Sequence, residues 1–148
     1  MKQSSDLPQG KLPFQVLNPI LESIPVRGLA VRRRAGMDAG IVELRGKNIF
    51  FTSGVVKGSD PSIGRKLVSD LAKMITQSAT QPMLINPVLL LPVGTRARPI
   101  RRLLLEISKT AEEHGVIVGK GHTEITSRVH EIILIATMFG SDKSNGAV

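Results

Sequence analysis

Apolar positions along the chain change their repeat several times, and each change marks an element. Phe14, Val16, Leu17, Ile20, Leu21 and Ile24 fit a short helix or turn, in which Pro19 interrupts any helix begun upstream. Leu29–Val31 reads as a short strand running into the basic loop Arg32-Arg33-Arg34. Two strand-like runs follow, Ile41–Leu44 and Ile49–Val56. Arg45-Gly46-Lys47-Asn48 between them predicts a hairpin turn, because glycine and asparagine tolerate the backbone angles a tight turn needs.

The period then lengthens. Ile63, Leu67, Leu71, Met74 and Ile75 recur at helical spacing after Pro61, with Ser59 or Asp60 placed to cap, and the helix should end before Gln81-Pro82. Met83 to Leu91 is an apolar strand; Pro87 inside it lacks the N–H that a ladder bond requires, which predicts an edge position or a bulge. A second helix running through Pro99 carries Ile100, Leu103, Leu104, Ile107 and Ala111 to a stop at Gly115. Val116–Val118 reads as a strand, Gly119–Thr126 as a glycine-containing loop or strand end, and Ile132–Phe139 as a last strand. Residues 1–13 read as a flexible polar arm and 141–148 as a polar tail, leaving 14–140 as one domain.

Helices alternating with paired strands predict an α+β fold, a mixed β-sheet with both helices packed on one face. Strands that are apolar at nearly every position need cover on their second face as well. A homodimer built sheet to sheet supplies it.

At 148 residues the chain matches one ordinary domain. Twenty Lys and Arg against twelve Asp and Glu give a formal charge of +8, which favours anionic partners, whether nucleotide phosphates, nucleic acid or an acidic protein surface. Four Phe without Tyr or Trp argue against a single-strand reader built on stacked bases, and leave a phosphate-contact surface open. The absence of cysteine excludes disulfides, a thiol nucleophile and a thiolate metal site. No apolar run approaches the length of a membrane span and the first residues lack an apolar signal region, so a cytoplasmic protein is expected.

Gly119-Lys120-Gly121-His122-Thr123-Glu124 is the most informative local feature. Its glycines let backbone approach a ligand, Lys120 neutralises a phosphate, and Thr123 and Glu124 offer a hydroxyl and a carboxylate suited to Mg²⁺ or ribose. The spacing is not that of a Walker A loop, and a plain turn explains it as well. In Gly36-Met37-Asp38-Ala39-Gly40 a single carboxylate can hold a metal or a turn, while Arg32, Arg33 and Arg34 form either a phosphate contact or a solvated face. His114, His122 and His130 make no close ligand pattern. Arg96, Arg98, Arg101 and Arg102 cluster around a helix start, as a phosphate or acidic-protein contact or as a charged helix face.

The run from Gly36-Met37-Asp38-Ala39 through the hairpin and helices, then Val118-Gly119-Lys120-Gly121-His122-Thr123-Glu124-Ile125-Thr126, to Ile135-Ala136-Thr137-Met138-Phe139-Gly140 carries a resemblance. It resembles the N-terminal domain of the aminoimidazole ribonucleotide (AIR) synthetase, or PurM-like, superfamily, most of all its archaeal AIR synthase-related and HypE-like members. The resemblance implies an α+β domain that dimerises through its sheets. It also implies ATP and Mg²⁺ near the subunit interface, and a C-terminal α/β domain that is expected to be lacking here.

The departures change the chemistry that the resemblance implies. Met37 stands where a second acid is common, and Thr52-Ser53-Gly54 where a Thr-Thr-Asp-like metal motif is expected. Lys73 enters an otherwise acidic region in Asp70-Leu71-Ala72-Lys73-Met74, and Lys120 replaces a glycine. Lost carboxylates are lost metal ligands, and a lysine neutralises phosphate without orienting an in-line transfer. The expectation is a degenerate, stand-alone domain acting as a nucleotide- or phosphate-ligand binding or regulatory module, with no catalytic residue of its own. Its expected site uses Arg32, Arg33, Arg34, Lys73, Lys120, His122 and Thr123 for the phosphates of ATP, and Asp38 and Glu124 for Mg²⁺. Two alternatives stand beside it. One is a subunit of a split ATP-dependent enzyme completed by a separate C-terminal domain; the other is a basic structural or nucleic-acid-associated protein with steeply salt-dependent binding.

Overall fold

The computed structural model describes residues 12–23, 31–32, 39–78 and 80–142. Most of the expected arm and tail, and Arg33, Arg34 and Asp38, lie outside the described residues. The elements are α1 (Phe14–Ser23), β1 (Val31–Arg32), β2 (Gly40–Leu44), β3 (Lys47–Lys57), α2 (Ser62–Gln77), β4 (Thr80–Pro92), α3 (Ala97–Glu113), β5 (Ile117–Val118), β6 (His122–Thr126) and β7 (Ile133–Asp142). They build one seven-stranded mixed sheet. β1, β2, β3, β7 and β4 follow one another antiparallel, and β5 and β6 both lie parallel to β4 along its far side.

The hairpin turn is tighter than expected. Arg45 (φ 52°) and Gly46 (φ 77°) close it alone, with Leu44 opposite Lys47, so Lys47 and Asn48 belong to β3. Two successive left-handed residues match the right-handed twist of the strands they join.

α2 and α3 pack together on one face of the sheet. Leu67, Val68, Leu71, Ala72 and Ile75 of α2 and Leu103, Ile107 and Ala111 of α3 meet Ile85, Leu89, Leu91, Leu134, Ala136 and Met138 in one buried core. α3 ends as its sequence predicts, with Gly115 at φ 66° and the Val116 N–H donating to the Ala111 carbonyl at 2.8 Å. Leu104, expected on the inner face, is instead exposed, and Thr110 takes an inner place with its hydroxyl donating to the Glu106 carbonyl at 2.7 Å. β7 runs on to Asp142, so Ser141 and Asp142 belong to the sheet and not to a tail.

Pro87 is not on an edge. β4 has β7 on one side and β5 and β6 on the other, and its register shift falls between Pro82 and Leu84. The Ile85 carbonyl accepts the Gly119 N–H at 2.8 Å, and backbone groups two residues apart point to the same side of a strand. The Pro87 nitrogen therefore faces the gap where β5 has ended at Val118 and β6 begins opposite Val88, and no ladder bond is lost.

The second face of the sheet carries three registered rows: Phe51–Phe139–Leu84, Ser53–Thr137–Asn86 and Val55–Ile135–Val88. Ser53 and Val55 are exposed and the other seven half-buried.

Candidate functional site

Between β5 and β6 the chain passes close along β4. A Cβ at Gly119 would overlap the Asn86 side chain, and one at Gly121 would lie 2.5 Å from the Pro87 carbonyl oxygen. These glycines serve strand approach. The segment expected as a loop or strand end becomes β6 from His122 onward, and alternation splits its side chains between the two faces. His122 and Glu124 share the open face beside Val88 and Leu90, while Thr123 lies with Leu89 on the other. The His122 Nε2 and a Glu124 carboxylate oxygen are 3.3 Å apart, with both side chains more than half exposed. Lys120 is exposed.

The remaining expected residues lie elsewhere. Arg32 is in β1, at the border of the sheet opposite β6. Lys73 is exposed on α2, which packs on β3, β7 and β4. A single chain therefore does not gather Arg32, Lys73 and the β6 residues around a common point.

A groove missed in the sequence joins two of its departures. Among the described residues β2 pairs with β3 as far as Phe51, and no described strand pairs with the outer edge of β3 from Ser53 to Lys57. Between that edge and α2 lies a cavity of about 620 Å³, lined by Ser53–Val56 and Ile135 of the sheet and by Lys66, Leu67, Asp70, Leu71 and Met74 of α2. Its wall is mainly apolar. At the rim, Lys66 Nζ donates to an Asp70 carboxylate oxygen at 2.8 Å, and helical spacing puts Lys73 on the same face as both. The Lys66–Asp70 spacing is legible as a helix-surface pair; its place beside a groove depends on β3 outrunning β2.

Among the described residues this groove gathers no ligand set for a divalent cation. A Cβ at Gly54 would sit 2.7 Å from a Leu67 methyl and 3.2 Å from one of Leu71, so a carboxylate there would be driven among leucines. Among the described residues Asp70 is the one carboxylate lining the cavity, and the Lys66 ammonium holds it. Among the described residues no group of three His, Asp or Glu is placed to hold a metal ion.

Charge is distributed unevenly around the helices. Arg65 clips α2 to α3, donating to both carboxylate oxygens of Glu113 at 3.0 and 3.2 Å and lying 3.6 Å from Glu106. The hydrogen bonds from Arg65 hold the Glu113 carboxyl below its ordinary pKa and raise that of the guanidinium. At the other end of α3 a second cavity, about 390 Å³, is lined by Ser59, Pro61, Arg98, Pro99 and Arg102. Beside it the Ser62 N–H donates to Asp60 at 2.8 Å, and that bond, aided by the charge of Arg102, lowers the Asp60 pKa.

Solved structures share this architecture. AaThiL complexed with AMPPCP and TMP superposes with a TM-score of 0.71 at 17% identity, over 86% of this chain and 40% of that one. The chain has a PurM-like fold. Thiamine monophosphate kinase from Aquifex aeolicus (TM-score 0.64, 15% identity, 86% of this chain and 41% of that one) and a HypE–HypF complex (0.66, 17%, 87% and 43%) share the PurM-like arrangement. The chain spans about two-fifths of the length of these structures. No family model and no curated protein matches it. Within this PurM-like domain no described helix is long and apolar enough to cross a membrane.

Proposed function

We propose that the chain is a nucleotide- or phosphate-ligand binding module on a PurM-like scaffold, dimeric through its open sheet face and without turnover as an isolated chain. The observation that carries the reading is the groove of about 620 Å³ between β3 and α2. Its apolar wall suits a flat ring, and Lys66 in its lining, with Lys73 two turns along the same helix face, suits the phosphates that follow it. The comparison with AaThiL, solved in complex with AMPPCP and TMP, supports a nucleotide as the ligand class.

A two-fold axis along the strands would set the β1 border of one copy over the β6 border of the other. The strand that holds Arg32 would then lie over the segment of Lys120 and His122, although the two are at opposite borders of one sheet; Thr123, on the helix-covered side of β6, would not join them.

Calorimetric titration with ATP and ADP, with and without Mg²⁺, tests the reading. Saturable binding is expected without Mg²⁺, weakened roughly tenfold in Lys66→Ala, the size of losing one charge-assisted contact. No heat with either nucleotide would refute it. The metal roles expected of Asp38 and Glu124 fall if Asp38→Ala and Glu124→Ala leave any Mg²⁺ dependence unchanged.

A further inference from the structure

α3 carries a second apolar stripe. Its inner side is Leu103, Ile107, Thr110 and Ala111, yet Leu104 and Leu105 stand 40% and 59% exposed. With Ala97, Ile100 and Arg101 they line a shallow groove of about 370 Å³. At about 100° per residue this flank is turned away from Glu106 and Glu113, which face Arg65 of α2.

Among the described residues the charge in the wall of the groove is of one sign. Arg101 is in its wall, and Arg96, Arg98 and Arg102 are exposed on the same stretch of chain. No acidic residue occurs between Asp70 and Glu106. Among the described residues the carboxylates near α3 are engaged elsewhere, Glu106 and Glu113 by Arg65 and Asp60 by the Ser62 N–H and the charge of Arg102; Glu112 is exposed near the far end of the helix. Leucines in a concave wall with unbalanced arginines beside them call for a ligand that is apolar on one side and anionic on the other.

We infer that the first two turns of α3 form a docking surface for an acidic, leucine-bearing helical segment of a partner protein. The partner's leucine fills the groove over Ile100, Leu104 and Leu105, and a partner carboxylate meets Arg101 in the groove wall. A second copy of this chain suits the surface less, because a symmetric contact would set arginine against arginine. A phosphate backbone would leave the leucines without apolar cover, and a flat bilayer would leave the groove unfilled.

The test uses the full chain and a fluorescein-labelled synthetic helical peptide with leucines at i and i+4 and glutamates on its remaining face, read by fluorescence anisotropy. The peptide should bind, weaken with added salt, and lose roughly tenfold or more in affinity in each of Leu105→Ser and Arg101→Glu. Arg128→Glu, between β6 and β7, should leave binding unchanged. Both test positions are exposed, so thermal melts should match the parent protein, and Leu104→Ser should repeat the loss. The inference is overturned by no binding, or by equal binding of a peptide with serine for leucine. It is also overturned if Arg101→Glu has no effect, or if anionic vesicles or duplex DNA bind more tightly than the peptide.

Discussion

The same three strands present two unlike surfaces. Facing the helices, Ile85, Leu89, Leu91, Leu134 and Met138 are sealed to 1% exposure or less. Facing away, Phe51, Phe139, Leu84, Ile135 and Val88 are half-buried around the polar row Ser53, Thr137 and Asn86, in which the Ser53 and Thr137 hydroxyls lie 2.8 Å apart. Alternation along a strand lets one sequence write both. The helix-covered face holds the domain together, whereas the open one is an apolar surface with hydrogen-bonding groups across its middle, the composition of an interface core with a polar register.

Substitutions on the two faces should separate these roles. Leu71→Ala, at a side chain with no exposure between sheet and helices, should cost about 2–5 kcal/mol in urea denaturation. Neighbours on β3 give a sharper contrast. Gly54→Ala forces a methyl against Leu67 and Leu71 and should cost about 1–3 kcal/mol, while Ser53→Ala, one residue along on the open face, should cost less than about 1 kcal/mol. Equal losses would break the comparison.

Val88→Ser should cost the monomer about 1 kcal/mol, yet move the proposed sheet-to-sheet dimer to monomer in sedimentation velocity. A parent protein that is monomeric at micromolar concentration would remove the open face's proposed role. The smallest effect is expected at the helix pair. The Glu113 pKa is lowered by Arg65, so this contribution to stability is complete above the ordinary carboxylate range and is lost as pH falls through the lowered value. Arg65→Ala should flatten that acid limb and return the Glu113 titration, followed by NMR, to the ordinary range.

Periodic signals were legible because they are local. Leu67, Leu71, Ile75 and the Gly115 stop landed where spacing and turn chemistry put them, and the hairpin formed where expected with a turn two residues shorter. Pro87 misled because its tolerance depends on a break between two parallel strands brought from more than thirty positions away, which no local pattern displays. The likeness to the PurM-like fold was visible as an order of motifs. The expected site was less legible, since residues adjacent in sequence, such as His122 and Thr123, part company once the segment becomes a strand. The Lys66–Asp70 groove, conversely, needed β3 to extend past β2 before it existed.

The break beside Pro87 also divides how firmly the border of the sheet is held. β5 and β6 grip β4 as two separate clasps, the first ending at the Gly119–Ile85 bond, and β6 shows mostly exposed side chains, whereas β7 is clamped along its length between β3 and β4. In hydrogen exchange, amides of β6 will therefore open in local excursions, while those of β7 wait for the whole sheet to come apart. The border that holds Lys120, His122 and Glu124 is thus a hinged margin on a rigid plate, able to reshape without unfolding the domain that carries it.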